Sequence, residues 1–553
     1  VKQPHRVQVE ARGLWAIALA LFVVTYTVSV VPAIMPAIVR DFNTSVGSIQ
    51  SVLVLFSLVT ASFAPTAENL SRHYGRTTVF LTSVAVYGAG IAAVALSPTM
   101  AALAASFVVL AGLASASLLG SPWTIADLVF GGQINPRVGV ALAAGTSLGY
   151  STGGIVGGFL ATGPGWRWSF VPPLIVLLVI LALGRSLPKL PVSDKQPIDW
   201  VGGLLSFLGF GSIVLGVCLG GELGWWEPRR EFSVGGVVLP PFAVSIVPTL
   251  LSAGAIALGL FIFWQRVAAT RNTASLLSVG LLRKRVFVLG TLAAVLHTLV
   301  TTGIGFNLYQ FLPVVASLNP FRTALAILPY PVTVTIVPLI ARYLRLFERI
   351  APKHIVLAGV VLLGVGITML YGQAHIGATP VDLIAGLVVM GAGSGLFVSS
   401  IGDLVHTAAT QEEKPEGSAI YNPAQNLGYS LGRAILGTLF VFAASRGVVT
   451  GITQELGKTI SANERRQLIF QLQEMVQTLP RADVVATILG RMPPSLRSVI
   501  HSIEMDAAAY GLKTTLLLAL GLTAVCFLLA MTLPKFVSAA GPSAVESPAD
   551  VSL

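Results

Sequence analysis

The sequence predicts an all-α integral membrane protein of about fourteen transmembrane helices, and three observations predict it. Of 553 residues, 54% are hydrophobic and only 10% are charged, too little charge for the surface of a soluble protein of this size. Apolar runs of about twenty residues, each long enough to cross a hydrocarbon core of about 30 Å, recur from end to end. The basic residues behind the formal net charge of +11 gather in short loops between those runs. That placement fits membrane orientation rather than nucleic-acid binding.

The expected spans are 14–36, 49–70, 77–97, 101–124, 138–162, 168–186, 200–221, 240–264, 286–313, 323–343, 354–373, 381–402, 420–444 and 511–533. Each is expected to be a helix, because barrel strands would be shorter and alternating. The first run is too long, and followed by too many others, for a cleavable signal peptide. Arg72 and Arg76, then Arg185, Lys189 and Lys195, then Arg266, Arg271, Arg283, Lys284 and Arg285, then Arg345, Arg349 and Lys353 all fall on one side of such a layout. The positive-inside rule makes that side cytoplasmic and puts both termini there. An inner (cytoplasmic) membrane of bacterial type is the expected location.

Between the spans, 222–239 carries Gly224, Trp225 and Trp226, expected as interfacial anchors. The stretch 447–510 contains amphipathic segments such as Arg465 to Val476, and a lid, a docking surface and filler are all open readings. Cys218 and Cys526 each sit inside an apolar run, so free thiols are expected, with no disulfide and no thiolate metal site.

Gly145, Gly149, Gly153 and Gly157 in span 5 are four residues apart, one smooth stripe that lets a second helix approach closely. Gly154 and Gly158 accompany them, and Gly165-Trp166-Arg167-Trp168 precedes span 6. With the loop Pro65-Thr-Ala-Glu68 to Gly75-Arg76, the segment Thr27 to Ile38 and Val108 to Gly112, these stretches resemble the fourteen-span drug:proton antiporter branch of the major facilitator superfamily, over nearly the whole chain. The resemblance implies a major facilitator fold of two six-helix bundles with two inserted helices. It divides the chain into a cytoplasmic tail 1–13, a bundle 14–190, linker helices 191–285, a bundle 286–533 with the extracytoplasmic loop 447–510, and a disordered tail 534–553. It implies that the glycine stripe seals the seam between the two halves.

The sequence departs from the family at four places. Tyr150 replaces a proline, Arg72 replaces the aspartate of the signature loop, Thr27 replaces an aspartate and Val108 an arginine. Glu68, one turn earlier than Arg72, is the candidate replacement carboxylate, with Gly75 and Arg76 retained.

Ionisable groups at membrane depth are functional candidates by default. Arg433 lies mid-span, and Glu68 is a candidate partner because the family fold puts spans 2 and 13 side by side. His297 is a candidate proton carrier, since imidazole titrates near physiological pH, and Glu68 is the second. Tyr26, Thr27, Asn307, Tyr309 and Gln310 complete the expected cavity set, with packing hydrogen bonds as the alternative. Asp127 and Asp403 (with His406) mirror one another at the cytoplasmic ends of spans 4 and 12, as gating groups paired with Arg72, Arg76 or Arg345. Pro122, Pro172, Pro173, Pro329 and Pro331 are candidate hinges.

No Walker loop, metal-ligand spacing or nucleophile elbow is present, so no cofactor, metal or enzymatic activity is expected. The expected function is secondary active export of hydrophobic or amphipathic small molecules by alternating access with proton antiport. An uncoupled or metabolite-specific facilitator is the alternative, and a non-transporting scaffold is a third class. Expected partners are a small-molecule substrate, protons, the lipid bilayer and a periplasmic adaptor protein, with no nucleic acid.

Overall fold

The computed structural model describes residues 4–130, 136–188, 190, 198–223, 226, 232–234, 237–239, 244–270, 279–408, 414–457, 459–478 and 499–534. Fourteen helices of membrane length lie within these residues. They are α1 (Pro4–Asp41), α2 (Val46–Tyr74), α3 (Arg76–Ala95), α4 (Met100–Phe130), α5 (Pro136–Thr162), α6 (Trp166–Gly184) and α7 (Trp200–Leu223). The chain continues with α8 (Ile246–Thr270), α9 (Arg285–Val315), α10 (Pro320–Tyr343), α11 (Pro352–Gln373), α12 (Pro380–Thr407), α13 (Lys414–Glu455) and α14 (Ile500–Met531). Thirteen are long and apolar enough to span a membrane. The other is α5, whose 27 residues suffice in length and whose many glycines dilute its hydropathy.

Several helices outrun the expected spans. α13 extends to Glu455 and α14 begins at Ile500, because polar residues such as Thr450, Gln454 and His501 continue a helix in water once its apolar part is anchored. α8 lies six residues later than its expected start. Between α7 and α8, Phe232–Val234 and Val237–Leu239 pair as a small antiparallel hairpin, a departure from the all-helical expectation. Trp226 in that connection is 75% exposed, whereas Gly224 and Trp225 lie outside the described residues.

One apolar core joins α1–α6, built on Tyr26, Phe56, Phe80, Tyr87 and Phe107. Two more join α9–α14, built on Phe311, Leu370 and Leu516, and on Phe287, Phe397 and Ile401. α7 and α8 pack on each other, and α7 also lies against α2 and α13. The outward face of α8 is apolar, with Ile256 and Phe263 exposed, as lipid contact requires.

The motif residues explain local joints. Asp199 caps α7 through the Gly202 N–H at 2.8 Å and accepts from Trp264 Nε1 at 2.9 Å and Gln265 Nε2 at 2.8 Å, tying α7 to α8. Arg167 is ion-paired to Asp41 at 2.5 Å and donates to the Ser97 carbonyl at 3.0 Å, while Trp166 Nε1 donates to Asp41 at 3.1 Å. The Trp-Arg-Trp segment thereby fastens α6 to the ends of α1 and α3. Pro172 sits in the first turn of its α-helical segment, where proline is tolerated, so it marks a helix start. Pro329 opens the second part of α10, which is divided into Pro320–Ile327 and Pro329–Tyr343.

Candidate functional site

The glycine stripe of α5 lies against α1. Cβ atoms built at Gly145, Gly149, Gly153 and Gly157 would collide with Ala18, Phe22 and Thr25, Tyr26, and Val30 respectively. All of these partners are on α1, within the same group of six helices. The stripe that faces the second group is the one beside it. A Cβ at Gly154 would stand 2.5 Å from the Tyr309 hydroxyl, and one at Gly158 would stand 2.9 Å from the Pro320 carbonyl oxygen. The expectation that Gly145 to Gly157 seal the seam between halves is therefore corrected: they close α5 onto α1, and Gly154 and Gly158 meet α9 and α10. Adjacent residues on a helix point about 100° apart, so one glycine-rich segment serves two neighbours.

The second group repeats this design. Cβ atoms at Gly428 and Gly432 of α13 would collide with Thr298 and Leu299 of α9. The first and fifth helices of each six-helix set are thus in near-backbone contact, as expected of an internally repeated transporter fold.

Between α1, α5, α9, α10 and α13 lies a pocket. Val28, Ser29 and Pro32 of α1 line it, with Tyr150, Ser151 and Gly154 of α5, Phe306 and Tyr309 of α9, Tyr330 and Pro331 of α10, and Arg433 of α13. It is narrow, with room for about two waters, so a drug-sized molecule enters only when its walls separate. Its polar groups are hydroxyls and one guanidinium. Arg433 is 2% exposed, and its Nη1 has no hydrogen-bond partner. Gln50 of α2 donates to the Arg433 carbonyl at 2.8 Å, which fixes the backbone and leaves the guanidinium facing the pocket.

Among the expected cavity residues, Tyr309 and Arg433 line this pocket. The others lie elsewhere. Tyr26 is 1% exposed and its hydroxyl donates to the Ser169 carbonyl at 3.1 Å, inside the first group. Thr27 is fully buried and donates to its own helix at Val23. Asn307 donates to the Leu436 carbonyl at 3.1 Å, a helix-packing bond between α9 and α13. The Gln310 side chain keeps a buried Nε2 without a partner, outside the pocket lining.

His297 is 3% exposed, stacked on Phe397 with ring centroids 4.5 Å apart, and its Nε2 is 2.9 Å from Ser394 Oγ. Ser394 Oγ is in turn 3.1 Å from the Tyr330 hydroxyl. The imidazole is therefore not in the pocket wall, but a two-step hydrogen-bonded chain joins it to a residue that is. Its Nδ1 has no partner.

Glu68 is not the partner of Arg433. Its carboxylate accepts from Arg76 at 2.6 and 3.0 Å and lies 3.4 Å from Arg72 Nε. α2 and α13 do pack together, but through the Gln50 end of α2. Glu68 is 18 residues further along, roughly 27 Å at the helical rise. Its pair with Arg76 ties the end of α2 to the start of α3, and Gly75 makes the turn between them, with φ 91°. Val108 lies within a π-helical turn at Ser106–Ala111 and is packed among apolar side chains. Asp127, Asp403 and His406 occur in helices, but their side chains lie outside the described residues, so their gating role stays an expectation.

Most of the pocket lining was missed by sequence reasoning, including Ser29, Tyr150, Ser151, Phe306 and Tyr330. In the sequence, Tyr150 stands out only as a departure from the family's proline, and nothing there singles out Tyr330. A departure from family pattern at the motif's centre was the available signal for Tyr150.

Two groups of six helices, two additional helices between them and a pocket shared by both groups define a polytopic membrane protein of the solute-carrier kind. The sequence matches the Major Facilitator Superfamily over residues 17–433, and the chain belongs to that superfamily. It is 26% identical over 518 residues to the multidrug resistance protein Stp of Mycobacterium tuberculosis, covering 93% of this chain and 90% of that one. It is 27% identical to the multidrug efflux pump LfrA of Mycolicibacterium smegmatis, covering 80% and 84%. The crystal structure of the POT family transporter PepTSo superposes with a TM-score of 0.54 at 13% identity, covering 88% and 99%, a likeness of fold alone.

Proposed function

We propose that this protein is a secondary active transporter that exports hydrophobic or amphipathic small molecules by alternating access, driven by proton antiport. The observation that carries this reading is similarity to multidrug efflux proteins over 93% of the chain, on a fold with one pocket shared by two helical groups. The moving units are residues 14–190 and 286–533, with 191–285 as linker helices. Transport then takes no enzymatic step, cofactor or metal. The basic ends of α2, α6, α8 and α10 favour the bacterial inner membrane with both termini in the cytoplasm. A periplasmic adaptor would dock on the opposite face, where the helix Ala462–Thr478 touches α2 and α13.

His297 is the coupling candidate. Protonated, the imidazole carries a proton on both ring nitrogens, so Nε2 can only donate towards Ser394, and it adds charge beside the α9–α12 contact. The chain through Ser394 and Tyr330 then transmits the change to the pocket. Glu68 is the weaker candidate, because its side chain is committed to ion pairs with Arg76 and Arg72, away from the pocket.

A second reading, an uncoupled facilitator, is favoured by Thr27 and Val108, uncharged residues at positions where the resemblance to the antiporter branch implies an aspartate and an arginine. Reconstitution into liposomes with an imposed pH gradient, using dyes of both charge signs, separates the readings. Antiport predicts concentrative flux that collapses with the gradient, and His297→Gln flattens its pH dependence. Flux that only equilibrates the dye supports the facilitator. Absence of gradient-dependent or downhill flux for every dye removes transport.

A further inference from the structure

We infer that Arg433 makes the pocket selective for anions, so that its substrates are aromatic or amphipathic molecules bearing a carboxylate, phenolate or sulfonate. The inference rests on reading this pocket as the substrate site.

The guanidinium is 2% exposed near the middle of an apolar helix. A cation there is expensive unless a negative group or several acceptors offset it. Among the described residues no carboxylate pairs with Arg433, no ring is stacked over it, and Nη1 has no hydrogen bond. The candidate acid, Glu68, is occupied by Arg76. No Asp or Glu is present in the pocket lining. A lipophilic cation would meet an uncompensated like charge and no acidic group to offset it.

The remaining polar groups suit an anion as well. Tyr150 and Tyr309 project hydroxyls into the space beside Arg433, and neither hydroxyl is hydrogen-bonded within the described residues. Phenolic O–H groups donate to an oxyanion, and their rings with Phe306 offer apolar faces to an aromatic body. Tyr429, one turn before Arg433 on α13, adds a further phenol within electrostatic reach. Planar guanidinium forks bind carboxylate and sulfonate oxygens two at a time. An anion entering from the membrane interface therefore removes the cost of the unpaired charge, while a neutral molecule of equal size does not.

The test is thermal denaturation of the full-length detergent-solubilised protein with 2-naphthoate, its uncharged methyl ester and tetraphenylphosphonium. The expected result is saturable stabilisation by naphthoate, with the ester at least about tenfold weaker and the phosphonium ineffective. Arg433→Gln weakens naphthoate roughly tenfold to a hundredfold without changing the ester, and Arg433→Lys, which keeps the charge but not the fork, falls between the two. Because the charge has no ion-pair partner among the described residues, Arg433→Gln leaves the ligand-free melting temperature unchanged or raised, which a structural arginine would not do. Stabilisation by phosphonium and not naphthoate overturns the inference, as does naphthoate binding that is indifferent to Arg433→Gln and Arg433→Lys, or no stabilisation by any of the three. Liposome flux judges the other reading separately: flux of phosphonium alone retains the transporter and removes the anion site, whereas naphthoate binding without flux of any probe retains the anion site and removes transport.

Discussion

Glu68, Arg76 and Arg72 form a cluster at one end of the fold that side-chain chemistry alone makes intelligible. The glutamate and Arg76 side chains are 10% and 8% exposed, so the bidentate pair is shielded from bulk water and worth more than a surface bridge. Removing one partner strands the other. A double-mutant cycle with Glu68→Gln and Arg76→Gln should give a coupling of about 1–3 kcal/mol in thermal or denaturant unfolding, and additivity would show the pair to be decorative. The sequence made Glu68 readable as a replacement acid, because the loop keeps Gly75 and Arg76 while its aspartate is gone. Arg433 was readable as an isolated charge in an apolar run. Tyr150 and Tyr330 were not, since a tyrosine in a membrane helix faces lipid, packing or pocket according to helix rotation, and rotation is set by contacts remote in sequence. For the same reason Tyr26 and Thr27, polar residues in the middle of span 1, point away from the pocket.

At the scale of elements, the spacing of glycines predicted a close helix contact but not its identity. Four-residue periodicity says that one face is smooth. It does not say which helix comes to that face, and α5 carries two such faces. The α1–α5 contact is near-backbone, so Gly149→Ala should destabilise the protein by about 1–3 kcal/mol through overpacking. Gly120→Ala on α4 meets nothing within 4 Å and should be neutral or mildly stabilising, since alanine favours helix by up to about 1 kcal/mol. Comparable losses at both positions would argue against the packing account. Gly154→Ala meets the mobile end of Tyr309 rather than backbone. Its expected effect is therefore on flux, by blocking approach of α5 to α9, with a melting temperature close to that of the parent protein. The helix Ala462–Thr478 follows the same logic of partial legibility. Its amphipathic pattern was plain in the sequence, and its docking face, Ile469 and Leu472 against Val449 of α13, was set by the extra turns that α13 makes beyond its apolar run.

At the scale of the whole molecule, hydropathy and length made the helix count legible because lipid leaves few alternatives to a helix. The long ends of α13 and α14 were not legible, since polar helix in water lacks the hydropathy signal that marks a span. The account requires the two groups to separate along the α5–α10 contact, where the pocket is now too tight for a substrate. Phe159 of α5 and Phe321 of α10 meet there, with ring centroids 5.7 Å apart. Cysteines at both positions, in a Cys218→Ser and Cys526→Ser background, can be joined by a short methanethiosulfonate cross-linker and released by reduction. The measurement is liposome flux before cross-linking, after it and after reduction. Flux should be lost on cross-linking and regained on reduction, with either single cysteine unaffected. Undiminished flux through the cross-linked protein would contradict it.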